Sequence, residues 1–156
     1  MLILIAGLSG AMGIRLADEA LKRNHNVRVL GRSKSKISDG VAERLERFVE
    51  VSTWYDVPAL ENACVGVDAV ICAYALEPTL LLEAQLFLLC AAERAGIKKI
   101  VADSWNSDYR NIRVGDMESY DPYLCLRAQL RLAASNLRPI FLLTGVFAES
   151  WFGSKD

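Results

Sequence analysis

The stretch MLILIAGLSGAMGIRLADEALKRN, residues 1–24, decides the fold. An apolar run, Leu2 to Ala6, leads directly into GLSGAMG, with Gly7, Gly10 and Gly13 three residues apart, and a helical pattern continues from Ala11 to about Arg23. A strand before a glycine cluster and a helix after it give the cluster a purpose that the glycines alone would not have. Gly7 allows a tight turn out of the strand. Gly10 removes a Cβ where a pyrophosphate approaches the backbone, and Gly13 lets the helix pack close to the strand. The turn and first helical residues, Ser9, Ala11 and Met12 among them, then offer N–H groups to phosphates, with the helix dipole behind them. The spacing is GxxGxxG rather than the GxGxxG of many dehydrogenases.

Working outward, short apolar runs alternate with helical segments along the whole chain. The strands are read at LILIA, NVRVLG, FVEVST, VDAVICAYA, KKIVAD and RPIFLLTG. Helices are read at VAERLERF, VPALENACVG, Leu80–Ala95 and DPYLCLRAQLRLAASN, with a loop from Ser104 to about Ser119. This rhythm predicts an α/β fold with a doubly wound parallel sheet: a six-stranded Rossmann sheet of order 3-2-1-4-5-6 in three layers. Near-continuous apolar strands suit a sheet covered on both faces. Asp56 reads as an N-cap before Pro58, and Asp121 as an N-cap before Pro122. One dinucleotide-binding domain is expected over residues 1–156.

Composition removes whole classes of function. Hydrophobic residues make up 53% and charged residues 24%, which fits a folded chain. The net charge of −1 gives no electrostatic case for nucleic acid or an anionic membrane surface. MLILIAGLSG lacks the basic start of a signal peptide, and no apolar stretch approaches the about 20 residues that span a bilayer. A cytoplasmic location is therefore expected. Cys64, Cys72, Cys90 and Cys125 show no metal spacing and read as buried thiols.

The second strand ends VRVLGRSKSKI. In a dinucleotide fold this end overlies the adenosine ribose, where an acid favours NAD and an arginine accommodates the 2′-phosphate of NADP. The sequence has Arg32, Lys34 and Lys36 here and no acid before Asp39, which points to NADP(H). Ligands in open α/β sheets lie beyond the carboxyl ends of strands. Ala73 and Tyr74 after the fourth strand are thus expected beside the cofactor. Asp103, Ser104, Trp105 and Asn106 after the fifth are expected on the substrate side, Ser104 to bond a carbonyl and Trp105 to stack on a flat substrate. Thr53 or Trp54 is expected to border the adenine.

The segments IAGLSGAMG, VLGRSKSK, PALENACVGVDAVICAYA, AAERAGIKKIVADSWNSDYR, ESYDPYLCLRAQLRLA and LLTGVFAES together resemble the NmrA-like family, close to the isoflavone-reductase-like group of atypical short-chain dehydrogenases, of fungal type. The resemblance implies NADP(H) binding and either reductase activity or a redox-sensing role. Members usually continue past the sixth strand into a substrate region, whereas this sequence stops at ESWFGSKD. The isoflavone type uses a lysine on the helix before the sixth strand, and Arg127 is the nearest match. Tyr123 and Arg127 reproduce the Tyr–Lys spacing of short-chain dehydrogenases with Arg for Lys. One helical turn apart, they share a face.

The expected activity is an NADP(H)-dependent reductase of a small aromatic or polyketide-like metabolite, with Tyr123 as donor supported by Arg127 and Ser104. The alternatives are a non-catalytic NADP(H) sensor, or a shortened domain catalysing a redox-neutral step. The expected partners are a small-molecule substrate and, through Phe147, Trp151 and Phe152 at the apolar tail, a second copy or another protein.

Overall fold

The computed structural model of the protein describes residues 1–8, 10–34, 37, 39–74, 77–133 and 137–148. The elements run β1 (Leu2–Ala6), α1 (Ala11–Lys22), β2 (Asn26–Gly31), α2 (Asp39–Ala42), β3 (Arg47–Glu50), α3 (Val57–Cys64) and β4 (Ala69–Cys72). There follow α4, which opens with a π-helical turn (Leu80–Ala84) before its regular part (Gln85–Arg94), then β5 (Lys99–Ala102), α5 (Asp121–Leu132) and β6 (Ile140–Phe141). The six strands are parallel, in the order β3-β2-β1-β4-β5-β6. The predicted sheet is the observed one.

Alternation along each strand builds two cores. Ile3 and Ile5 point to the layer of α1, where they meet Ala17, Ala20, Val27, Val29 and Ile37. Leu4 and Ala6 point to the other layer and meet Leu60 of α3, Leu88 of α4 and Leu126 of α5. Burying a leucine or isoleucine contributes about 2 kcal/mol, so Leu4 and Ile5 of β1 and Leu88 of α4, with no exposed surface, fix the sheet against its helices.

Four local readings change, the first being that the helix read at VAERLERF spans only Asp39–Ala42, with β3 starting at Arg47. Asp121 is the first residue of α5 rather than its cap, and its Oδ1 accepts the Gly115 N–H at 2.9 Å, which spends the carboxylate on the preceding loop. Cys64 and Cys72 are buried, but Cys90 is exposed, because α4 turns Leu88, Leu89, Ala91 and Ala92 inward and leaves position 90 outside. The sixth strand pairs over only two residues. Asp56 caps α3 as read, accepting from Ala59 N–H at 3.2 Å.

Arg28 was not singled out by its sequence. It is buried inside β2, where an unpaired guanidinium would be costly. Its Nε and Nη2 donate to the two oxygens of Glu46, both at 2.9 Å, and Nη1 donates to the carbonyls of Ala63 and Val65. The side chain thereby ties β2 to the chain before β3 and to the end of α3. Among the described residues no helix is long and apolar enough to cross a membrane.

Candidate functional site

The glycine turn is built as its spacing predicts, but the three glycines do different things. Gly7 has φ +94°, and a Cβ there would stand 2.0 Å from the Ala73 carbonyl oxygen. A Cβ on Gly13 would stand 2.4 Å from Gly7 O, so this residue closes the helix onto the turn. Gly10 differs: a Cβ would find only Gly7 O at 3.7 Å and Ala73 O at 4.0 Å, ordinary contacts. The protein's own packing does not demand glycine there. Gly10 is also the N-cap of α1, no side chain caps the helix, and its first turn carries no acid. The amide groups of that turn are available to an anion of the cofactor's pyrophosphate type, and the open Cβ direction is where it fits. Ser9 and Lys36 lie outside the described residues, as do Trp151 and Phe152.

Two clefts meet at Gly10 and Tyr74. The first, about 490 Å³, is lined by Gly7, Gly31, Arg32, Phe48 and Trp54 among others. Among the described residues Arg32 carries the only charge on its lining, with its guanidinium carbon 5.5 Å from the centre of the Trp54 ring. Trp54 in turn meets Tyr74 edge to face at 5.0 Å. An arginine at the end of β2 beside an aromatic wall suits a ribose phosphate and an adenine. Of the two residues expected near adenine, Trp54 lines this cleft and Thr53 does not.

The second cleft, about 390 Å³, is lined by Ala11 and Met12 of α1, Ala73, Asp103, Trp105, Asn106 and Phe147. Trp105 is fixed by its indole N–H, which donates to Cys72 O at 2.8 Å. Asn106 is held by four bonds: its N–H donates to Ser104 O, its Oδ1 accepts from Ser107 N–H and the Tyr120 hydroxyl, and its carbonyl accepts from Gly145 N–H. Ala73, Tyr74, Trp105 and Asn106 thus border the clefts.

The expected catalytic group is not assembled among the described residues. Ser104 is fully buried, and its hydroxyl donates to Leu142 O at 3.2 Å, serving the sheet edge rather than the cleft. Tyr123 is 1% exposed, lines neither cleft, and stacks on Tyr109 with ring centres 5.2 Å apart. Burial pushes its hydroxyl up to about 12, the opposite of what a tyrosine poised by a cation requires. Arg127 lies over Tyr109 at 5.7 Å and Phe141 at 5.5 Å instead of serving Tyr123. The spacing put Tyr123 and Arg127 on one face of α5. The packing of Tyr109, Tyr120 and Tyr123 turned that face into a small core with Leu81.

Asp103 is the residue whose state the sequence underplayed. It sits one residue past β5, 2% exposed, and its Oδ2 has no hydrogen-bond partner among the described residues. Burial raises its carboxyl to about 7, with the Tyr74 backbone amide pulling the other way. Gln85, fully buried where the π-helical turn meets the regular helix, donates from Nε2 to Leu81 O at 2.9 Å and accepts the Asp103 N–H at 2.6 Å.

Residues 7–136 match the model of the NAD(P)H-binding family. In structure the chain is similar to an NADPH-dependent quinone oxidoreductase from Escherichia coli (19% identity, TM-score 0.74, 97% of this chain and 50% of that one). It is also similar to a short-chain dehydrogenase/reductase from Veillonella parvula in complex with NADP (20%, 0.67, 90% and 67%). A third similar structure is a Rossmann-fold NAD(P)-binding family protein from Shigella flexneri (16%, 0.63, 83% and 60%). At these identities the likeness is one of fold, and the chain spans 60% of the Shigella protein's length. No curated protein matches the sequence. The chain belongs to the NAD(P)H-binding family.

Proposed function

From that membership we propose that the protein binds NADP(H) in preference to NAD(H) and reduces a carbonyl on a small aromatic molecule. The observation that carries the reading is the pair of clefts joined at Gly10, one lined by Arg32 and Trp54 and the other by Asp103 and Trp105. Gly10, Ala11 and Met12 would hold the pyrophosphate, and Arg32 the 2′-phosphate. The indole of Trp105, anchored to β4, gives a flat substrate a fixed wall. Bound in this way the cofactor supplies hydride, and the protein's part is to orient the carbonyl and manage one proton.

The finer resemblance to the NmrA-like group supports a place in secondary metabolism, and a cytoplasmic setting is proposed with it. A second reading, a cofactor sensor without turnover, is favoured by one observation: Tyr123 and Ser104 are both withdrawn from the clefts. Calorimetric titration with NADPH and NADH, followed by NADPH oxidation against a panel of aromatic aldehydes, ketones and quinones, separates the two. The reductase reading expects tight NADPH binding and oxidation with at least one carbonyl class. Binding without oxidation supports the sensor, and no binding overturns both.

A further inference from the structure

We propose that Asp103 is the proton donor of the second cleft, positioned by Gln85 and facing the nicotinamide end of a cofactor laid across Gly10. The inference rests on the cofactor reading above and names a group that the sequence pattern assigned elsewhere, to Tyr123.

Three observations converge on it. Asp103 lines the cleft that also contains Gly10, Ala11 and Met12, so the residue shares that cleft with the phosphate cradle. Its Oδ2 is buried without a hydrogen-bond partner among the described residues, and a carboxyl oxygen left unsatisfied inside a protein costs stability. The third is the Gln85 amide, spent on holding the Asp103 backbone at 2.6 Å from a helix that breaks its regular hydrogen bonding at that point.

Burial raises the carboxyl to about 7, so a substantial share of it is protonated at neutral pH. The titratable groups facing it are Cys72 and Tyr74 from β4 and its end, Tyr109 from the loop after β5, and Tyr123 from α5. All four are held in their neutral forms by burial. α1 contributes Gly10, Ala11 and Met12 to the lining, none of them charged.

In the step, the carbonyl carbon gains a C–H bond from the cofactor's hydride while the C=O π pair moves onto oxygen. That oxygen takes the proton from Asp103 as the carboxyl O–H breaks. The carbonyl is reduced by two electrons, the dihydronicotinamide is oxidised, and the carboxylate is reprotonated from water.

The test is a carboxyl ¹³C titration of the full chain, with the Asp103 signal assigned through its own backbone so that no variant is needed. In the free protein the midpoint is expected within about one unit of 7, against about 3.9 for an ordinary aspartate. NADP⁺ brings a cationic ring and NADPH a neutral one, so the midpoint with NADP⁺ should fall about one unit or more below that with NADPH. An ordinary midpoint in the free protein, or equal midpoints with the two cofactor forms when both bind, overturns the Asp103 assignment alone. Failure of either form to bind in parallel calorimetry overturns the cofactor reading and the assignment with it. Carbonyl-dependent NADPH oxidation in Asp103→Asn should fall by about 10²–10⁴ at unchanged NADPH affinity. Unchanged oxidation in that variant also overturns the assignment.

Discussion

The two halves of the sheet are built to different standards. The half made of β1, β2 and β3 is sandwiched: Ile5, Val27, Val29 and Leu30 have no exposed surface, and α1 closes one face while α3 closes the other. Among the described residues, the half made of β4, β5 and β6 is covered less completely on the layer of α1 than on the other. On the layer of α1, Ile71 and Val101 are half-buried, and Ile140, their neighbour in register, is 55% exposed. The first half carries the backbone turn proposed above to hold the cofactor, a role that demands rigidity. The second carries the cleft in which side chains would act on a substrate, and its open face and the half-buried Phe147 invite a covering partner. We propose a second copy of the chain as that partner.

Breaking the rigid half should have the largest consequence. Gly7→Ala combines a left-handed backbone with a Cβ driven into the Ala73 carbonyl, and should cost about 5 kcal/mol or abolish folding in a urea titration. Gly10→Ala should leave that titration within about 0.5 kcal/mol of the parent, because the space it fills is open, while weakening NADPH binding if the pyrophosphate takes that space as proposed. Similar losses of stability in both variants would remove the distinction drawn between the two glycines.

Asp103 offers the next effect, and its sign follows from a folded value, about 7, that lies above the unfolded one. The folded chain binds the extra proton, so stability is fully present at low pH and is lost as pH rises toward and through 7. Asp103→Asn removes the titrating group. Thermal unfolding should therefore show the variant gaining on the parent between pH 4 and 7, by up to roughly 4 kcal/mol at pH 8. A difference that does not change with pH would count against the buried acid.

A smaller change is expected from the cofactor specificity of the rigid half. Arg32→Asp should exchange a charge-assisted phosphate contact for repulsion and lower NADPH affinity ten- to a hundredfold, about 1.5–3 kcal/mol, with NADH affinity maintained or improved. Calorimetry with both cofactors measures it. The smallest effect belongs to the open half: Ile140→Lys should alter monomer stability by no more than about 0.5 kcal/mol, yet convert any dimer to monomer in light scattering. A dimer that survives the substitution places the interface elsewhere.

What the sequence by itself determined is the part governed by local rules. Strand and helix periods set the element order, and a right-handed crossover then leaves little freedom in the sheet. The spacing of Gly7, Gly10 and Gly13 marked the turn between β1 and α1, because a turn is set by its neighbours along the chain. Spacing also said correctly that Tyr123 and Arg127 share a face of α5. Only the tertiary structure decided which way that face looks. Tyr109 and Tyr120, from a loop with no periodic signal, pack against Tyr123 and draw its hydroxyl inside. The same holds for Arg28, whose partners Glu46, Ala63 and Val65 lie far along the chain, and for Asp103, an ordinary acid in the sequence. Its burial and its tie to Gln85 exist only once β5 has docked beside α4, since desolvation depends on what surrounds a group in space and not on what precedes it in the chain.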